Sequence, residues 1–172
     1  MATTTNASLI DLNEGLQNGF TIGTWVYVNS DGENDVGQIF QKGASTYFRV
    51  SGESGGRVAL DASLDLATSD ATVSVASAIP INEWHHVAMS WTDDADDEIT
   101  IWIDGVNRGS STNGSGAPAA DTFDLKIGGD GGANFDGQMD EFKIFNFELT
   151  DALVKSVMND GAVRFGPTTG DP

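Results

Sequence analysis

Carboxylates, two adjacent histidines and four tryptophans are the groups in this 172-residue chain that could do chemistry. The carboxylate in the most informative position is Asp140, within Phe135-Asp136-Gly137-Gln138-Met139-Asp140-Glu141-Phe142-Lys143-Ile144-Phe145-Asn146. At strand period Asp140, Phe142 and Ile144 share one face, which turns a carboxylate toward the side of two large apolar groups. Burying an ionised carboxylate is costly unless it is hydrogen-bonded, paired or bound to a metal, so the spacing implies a polar network or a cation ligand. His85 and His86 fall on opposite faces of a regular strand and cannot share one metal. For His86 the sequence offers no serine or carboxylate partner, and a packing role is expected in place of a general base. Trp25, Trp84, Trp91 and Trp102 could stack on the apolar face of a pyranose, but each lies in an expected strand, where core packing comes first. Trp102 is the exception: it points away from Ile99, Ile101 and Ile103 and is the candidate ligand-binding aromatic. Asn113 is the second candidate, in a Ser/Gly/Asn-rich stretch expected to form a rim loop; Asn113-Gly114-Ser115 and Asn6-Ala7-Ser8 also match a glycosylation sequon, a pattern that chance supplies in such a sequence.

The elements that must position these groups are short runs rich in Val, Ile, Thr and aromatics, separated by Gly, Asp, Asn and Ser clusters from Phe20 to Asn146. This pattern predicts an antiparallel all-β domain. Eleven strands are expected: Leu9 to Leu12, Phe20 to Val28, Gly37 to Gln41, Thr46 to Ser51, Arg57 to Ala62, Thr72 to Ser77, Trp84 to Trp91, Ile99 to Asp104, Asn107 to Ser111, Phe123 to Ile127 and Gln138 to Phe145. So many short strands in one domain imply a two-sheet sandwich or jelly roll. Asp104-Gly105 marks a tight hairpin turn. One helix is expected from Thr150 to Asn159, with Thr150 as N-cap, Leu153, Val157 and Met158 at helical spacing, and Gly161 as C-terminal cap. The acidic run Asp93-Asp94-Ala95-Asp96-Asp97-Glu98 reads as a solvated hairpin loop, because it lacks the glycine and terminal glutamate of an EF-hand loop. The glycine-rich segments at 109–120 and 128–134 do not open helices and so do not cradle phosphate.

The length suits a single domain, placed at residues 1–165, with 166–172 as a tail. A net charge of −18, from 26 Asp and Glu against 8 Lys and Arg, argues against binding nucleic acid or an anionic membrane. Nineteen of the acids are Asp and only four residues are Lys, a bias shared by salt-adapted proteins and by acidic extracellular ones. With no cysteine, disulfides, thiolate metal sites and cysteine nucleophiles are excluded. The N-terminal residues carry no signal-peptide pattern, and no apolar run is long enough to insert in a membrane.

Four segments in order resemble the laminin-G-like jelly rolls of the concanavalin A-like lectin and glucanase superfamily: Phe20-Thr21-Ile22-Gly23-Thr24-Trp25-Val26, Trp84-His85-His86-Val87-Ala88-Met89-Ser90-Trp91, Ile101-Trp102-Ile103-Asp104-Gly105, and Ile127-Gly128-Gly129 leading into Phe135 to Asn146. The resemblance implies two antiparallel sheets packed face to face, to which the residues at 150–159 add one short C-terminal helix. It also implies a structural Ca2+ with Asp140 among its ligands and with Asp11 and Asn13 completing the site. The superfamily's glycoside hydrolases carry a strand such as Glu-x-Asp-x-x-Glu; Glu33-Asn34-Asp35 begins like one, but Val36, Gly37 and Gln38 follow and the second glutamate is missing. The expectation is a non-catalytic recognition or adhesion module whose rim loops bind a glycan or a surface protein. The alternative is a structural virion or surface-layer component, as a homo-oligomer or against virion neighbours, and a glycoside hydrolase is the remote third reading. Either of the first two roles places the chain at an extracellular surface or on a virion.

Overall fold

The computed structural model describes residues 19–94, 96–119, 122–129 and 131–159, together with the backbone of residues 2–4. Two antiparallel sheets form a sandwich. The six-stranded sheet runs β1 (Ala2–Thr4), β10 (Leu125–Ile127), β3 (Val36–Lys42), β4 (Thr46–Ser54), β5 (Arg57–Leu64), β6 (Ala71–Pro80). The five-stranded sheet runs β11 (Gly137–Phe145), β2 (Phe20–Val28), β7 (Trp84–Trp91), β8 (Ile99–Ile103), β9 (Val106–Ser111). The expected strands from Phe20 onward are all present, within a few residues at their ends. Leu9 to Leu12, Gly161 and the 166–172 tail lie outside the described residues, and the short β1 was not expected.

The alternating sequence decides what each strand contributes. In β2, Phe20, Ile22, Val26 and Val28 point inward and are fully buried, while Thr21, Gly23, Trp25 and Tyr27 take the outer face. Val87, Met89 and Trp91 of β7 and Ile99, Ile101 and Ile103 of β8 meet Phe40, Phe48, Val50, Leu60 and Leu64 of the opposite sheet in one continuous core. The turn between β8 and β9 is built by Asp104 (φ 51°) and Gly105 (φ 72°), the pair of positive angles that matches strand twist in a two-residue hairpin. The acidic run closes the β7–β8 hairpin through Thr92 N–H donating to Glu98 O at 3.0 Å.

Helix α1 (Asp151–Met158) begins after Thr150, whose extended backbone occupies the N-cap but whose side chain makes no cap hydrogen bond. The helix lies against the outer face of the five-stranded sheet. There Leu149 and Val154, with Phe145 and Val157, bury Ala88 and Trp102 in a second, smaller cluster.

Strand β11 departs from the expected regular alternation. Its register against β2 shifts between Asp140 and Lys143, and Glu141 sits at φ 52°. This β-bulge inserts one residue, so Met139, Phe142 and Ile144 face the core while Asp140 and Glu141 are both exposed. The shared face of Asp140, Phe142 and Ile144 is therefore corrected: a period of two cannot be carried through an inserted residue.

Candidate functional site

The outer face of the six-stranded sheet carries an array of convergent polar side chains. Tyr47, Arg49 and Ser51 of β4 alternate with the buried Phe48 and Val50, and Asp61 of β5 lies between the buried Leu60 and Ala62. Strand register brings Gln38, Arg49, Asp61 and Ser74 into one rung across β3, β4, β5 and β6, with Gln41 and Tyr47 in the neighbouring rung.

Asp61 accepts hydrogen bonds from Ser51 Oγ at 2.6 Å and Ser74 Oγ at 2.5 Å, and its Oδ2 lies 3.5 Å from Arg49 Nε. The guanidinium Cζ sits 4.1 Å above the Tyr47 ring centroid, within cation–π range. Tyr47, Arg49, Asp61 and Ser74 line a depression of about 220 Å³. Three buried atoms of the two rungs, Gln38 Oε1, Gln41 Oε1 and Arg49 Nε, have no hydrogen-bond partner among the described residues. Buried polar atoms are normally paired, so the two glutamine oxygens are exceptions, while Arg49 Nε is held by its ion pair with Asp61.

Gln41 also lines a second depression of about 380 Å³, with Phe123, Asp124 and Lys126. Phe123 is 56% exposed, and its ring packs on Gly43, where an added Cβ would come within 2.7 Å of the ring. The buried Lys42 Nζ donates to Phe123 O at 3.1 Å and fixes that backbone. Gln41 of the larger depression and Tyr47 of the smaller are register partners on adjacent strands, so the two depressions lie on the same face, each with an aromatic side chain.

The residues expected from sequence fall in different places. Asn113 borders this face: its Oδ1 accepts Thr72 N–H at 2.9 Å and its Nδ2 donates to Thr72 Oγ1 at 2.8 Å, and Thr72 lines the smaller depression. The stretch around it is not a free rim loop, since Ser115 and Ser69 exchange backbone hydrogen bonds and Ala67 N–H donates to Ala117 O. Trp102 is corrected from exposed platform to core: it is 4% exposed under α1, and its Nε1 donates to Ser90 Oγ at 3.0 Å. Pointing away from the isoleucines did not expose it, because the helix covers that side.

Asp140 lies on the outer face of the opposite sheet, where its Oδ1 accepts Glu141 N–H at 2.8 Å. Asp11 and Asn13 lie outside the described residues. Among the described residues no three His, Asp or Glu side chains converge on a metal position, and a calcium ion needs six to eight oxygens. Of the expected ligand set only Asp140 is among the described residues. His86 is buried with its backbone N–H donating to Asp104 Oδ1, and His85 Nδ1 lies 2.9 Å from Asp104 Oδ2, so the two histidines serve the β7–β8 hairpin from opposite faces.

Sequence reasoning missed Tyr47, Arg49 and Asp61. Their outward alternation was readable in the strings Thr46 to Ser51 and Arg57 to Ala62, but their adjacency depends on register between strands.

Comparison with known proteins agrees with this architecture. No curated protein matches the sequence. Solved structures with the same fold include a proposed carbohydrate-binding protein from Bacteroides ovatus (TM-score 0.60, 20% identity, 81% of this chain and 40% of that one). A heptameric SAP-like pentraxin from Limulus polyphemus matches with TM-score 0.57 and 19% identity over 81% of this chain and 69% of that one. The receptor-binding domain of botulinum neurotoxin type G matches with TM-score 0.57 and 17% identity over 85% and 39%. The chain thus spans less than half the length of the Bacteroides and toxin chains. Among the described residues no helix is long and apolar enough to cross a membrane. A laminin-G family model matches residues 2–155, and the chain belongs to the concanavalin A-like lectin/glucanases superfamily.

Proposed function

We propose that this domain is a non-catalytic recognition module that binds a neutral oligosaccharide across the outer face of its six-stranded sheet. The observation that carries this reading is the Arg49–Asp61–Ser74 rung beside Tyr47, a cation, a carboxylate and a hydroxyl converging on one depression. A guanidinium donates, a carboxylate accepts and hydroxyls do both, which suits the vicinal hydroxyls of a sugar ring. Tyr47 and Phe123 offer aromatic surface to its apolar face. The net charge of −18 favours a neutral glycan over a sulfated or uronic one. Hydrolysis would require two carboxylates flanking the bond, whereas Asp61 is the single carboxylate among the described side chains lining its depression and is held by two serines. The carbohydrate-binding description of the Bacteroides ovatus protein points the same way.

A glycan array probed with the intact chain, followed by titration calorimetry on the best hit, tests the proposal. Arg49→Ala and Tyr47→Ala are each expected to weaken binding at least about tenfold, the value of a lost charged hydrogen bond or stacking contact. Undiminished binding by both variants would remove this face as the site.

A further inference from the structure

The other sheet carries a second recess, with different chemistry. Trp25 and Trp84 line a pocket of about 300 Å³ with Asp140 and Glu141 on the outer face of the five-stranded sheet. The pocket occupies the part of that face beyond α1, which instead covers Ala88 and Trp102. Trp84 is 44% exposed, and Tyr27, its register partner across β2 and β7, packs against it with ring centroids 5.8 Å apart. Trp25 is backed by the buried His86 ring, edge-on at 5.6 Å, and Gly23 lies beside that ring, where an added Cβ would be 3.4 Å from it. Burial keeps this imidazole neutral well below its usual range, so the ring itself adds no positive charge behind Trp25.

The acidic wall is a product of the bulge. A regular strand would turn only one of Asp140 and Glu141 outward; the inserted residue exposes both, at the cost of a positive φ for Glu141. Thr24 Oγ1 donates to Asp140 O at 2.9 Å, so the irregular backbone is held from inside. Glu141 Oε2 pairs with Lys143 Nζ at 3.2 Å, and Asp140 Oδ1 takes the Glu141 N–H, which leaves Asp140 Oδ2 open among the described residues.

We propose that this pocket binds an organic cation, a trimethylammonium group, between Trp25 and Trp84 with Asp140 as counter-ion. The wall supplies aromatic faces, whose quadrupole attracts cations, and carboxylates, which only accept hydrogen bonds. Among the described residues no three His, Asp or Glu side chains converge here to hold a hard metal ion. The field of a chain with net charge −18 draws cations to the surface. This site lies on the opposite sheet from the glycan face and does not depend on it.

Titration of the intact chain with choline, followed by tryptophan fluorescence and calorimetry, tests the inference. The control is 3,3-dimethyl-1-butanol, the neutral isostere. Saturable quenching by choline is expected, weakened about tenfold or more for the isostere and for Asp140→Asn, and lost in Trp84→Ala. Trp84 is partly exposed and the asparagine retains an acceptor for Glu141 N–H, so both variants should fold; circular dichroism verifies this. Equal binding of the isostere, displacement by a methyl glycoside, stabilisation by calcium alone that Asp140→Asn abolishes, or no response to choline would each overturn it. Arg49→Ala should leave choline binding unchanged, and a loss there would also overturn the two-site arrangement.

Discussion

His86 shows how one residue ties the core to pH. Burial pushes its imidazole down to about 4, with Asp104 pulling the other way. An unfolded histidine titrates near 6.5, so as pH falls the unfolded chain takes up the proton first. Stability associated with neutral His86 is therefore complete above about pH 6.5, is lost as pH drops toward about 4, and does not fall further below that. The loss over the window is expected to be on the order of 3 kcal/mol for a fully buried ring. Urea unfolding of wild type and of His86→Gln at several pH values checks this: the variant should lose the part of the slope above about pH 5, where carboxylates contribute little. The residue types in this region were legible in sequence; their exposure was legible only in part. Alternation in Phe20 to Val28 places Trp25 and Tyr27 opposite the aliphatic residues, which was a readable cue that these aromatics leave the main core. Trp102 shows the limit of that cue, since its outward face is covered by a helix formed about fifty residues later in the chain.

At the scale of elements, the β11 bulge and α1 divide the outer face of the five-stranded sheet between a covered half and an open half. Thr24→Val tests the support of the bulge. It leaves Asp140 O without the Thr24 donor, and a destabilisation of about 1–2 kcal/mol is expected in chemical denaturation, together with weaker choline binding. Leu149→Ala tests the covered half. It removes a side chain that is 3% exposed over Trp102, and should cost about 2–3 kcal/mol and shift Trp102 emission to the red. Strand positions were legible because short alternating runs bounded by Gly, Asp and Asn leave few other readings. The bulge was not, because nothing in Met139-Asp140-Glu141-Phe142 marks an extra residue until Trp25 and Gly23 fix the register on the other strand.

For the whole molecule, 26 acidic residues against 8 basic ones make self-repulsion a global destabilising term. The melting temperature should rise between low salt and about 1 M sodium chloride, where the Debye length falls to about 3 Å. Scanning calorimetry across that range checks it, and a flat response would show that the surface charges are already compensated locally. Light scattering over the same range should return the mass of one chain at low salt, where like-charged copies repel; a discrete oligomer there would favour the assembly role. The sequence by itself determined the all-β sandwich, the C-terminal helix, the Asp104-Gly105 turn and the exclusion of thiol chemistry. Each of these follows from local period, turn residues and composition, which need no distant partner. Only the tertiary structure decided that Arg49, Asp61 and Ser74 form one rung, that Trp25 and Trp84 line a pocket with Asp140 and Glu141, and that Trp102 is buried. Those outcomes depend on register, bulge and helix docking, which are set by contacts between segments far apart in the chain.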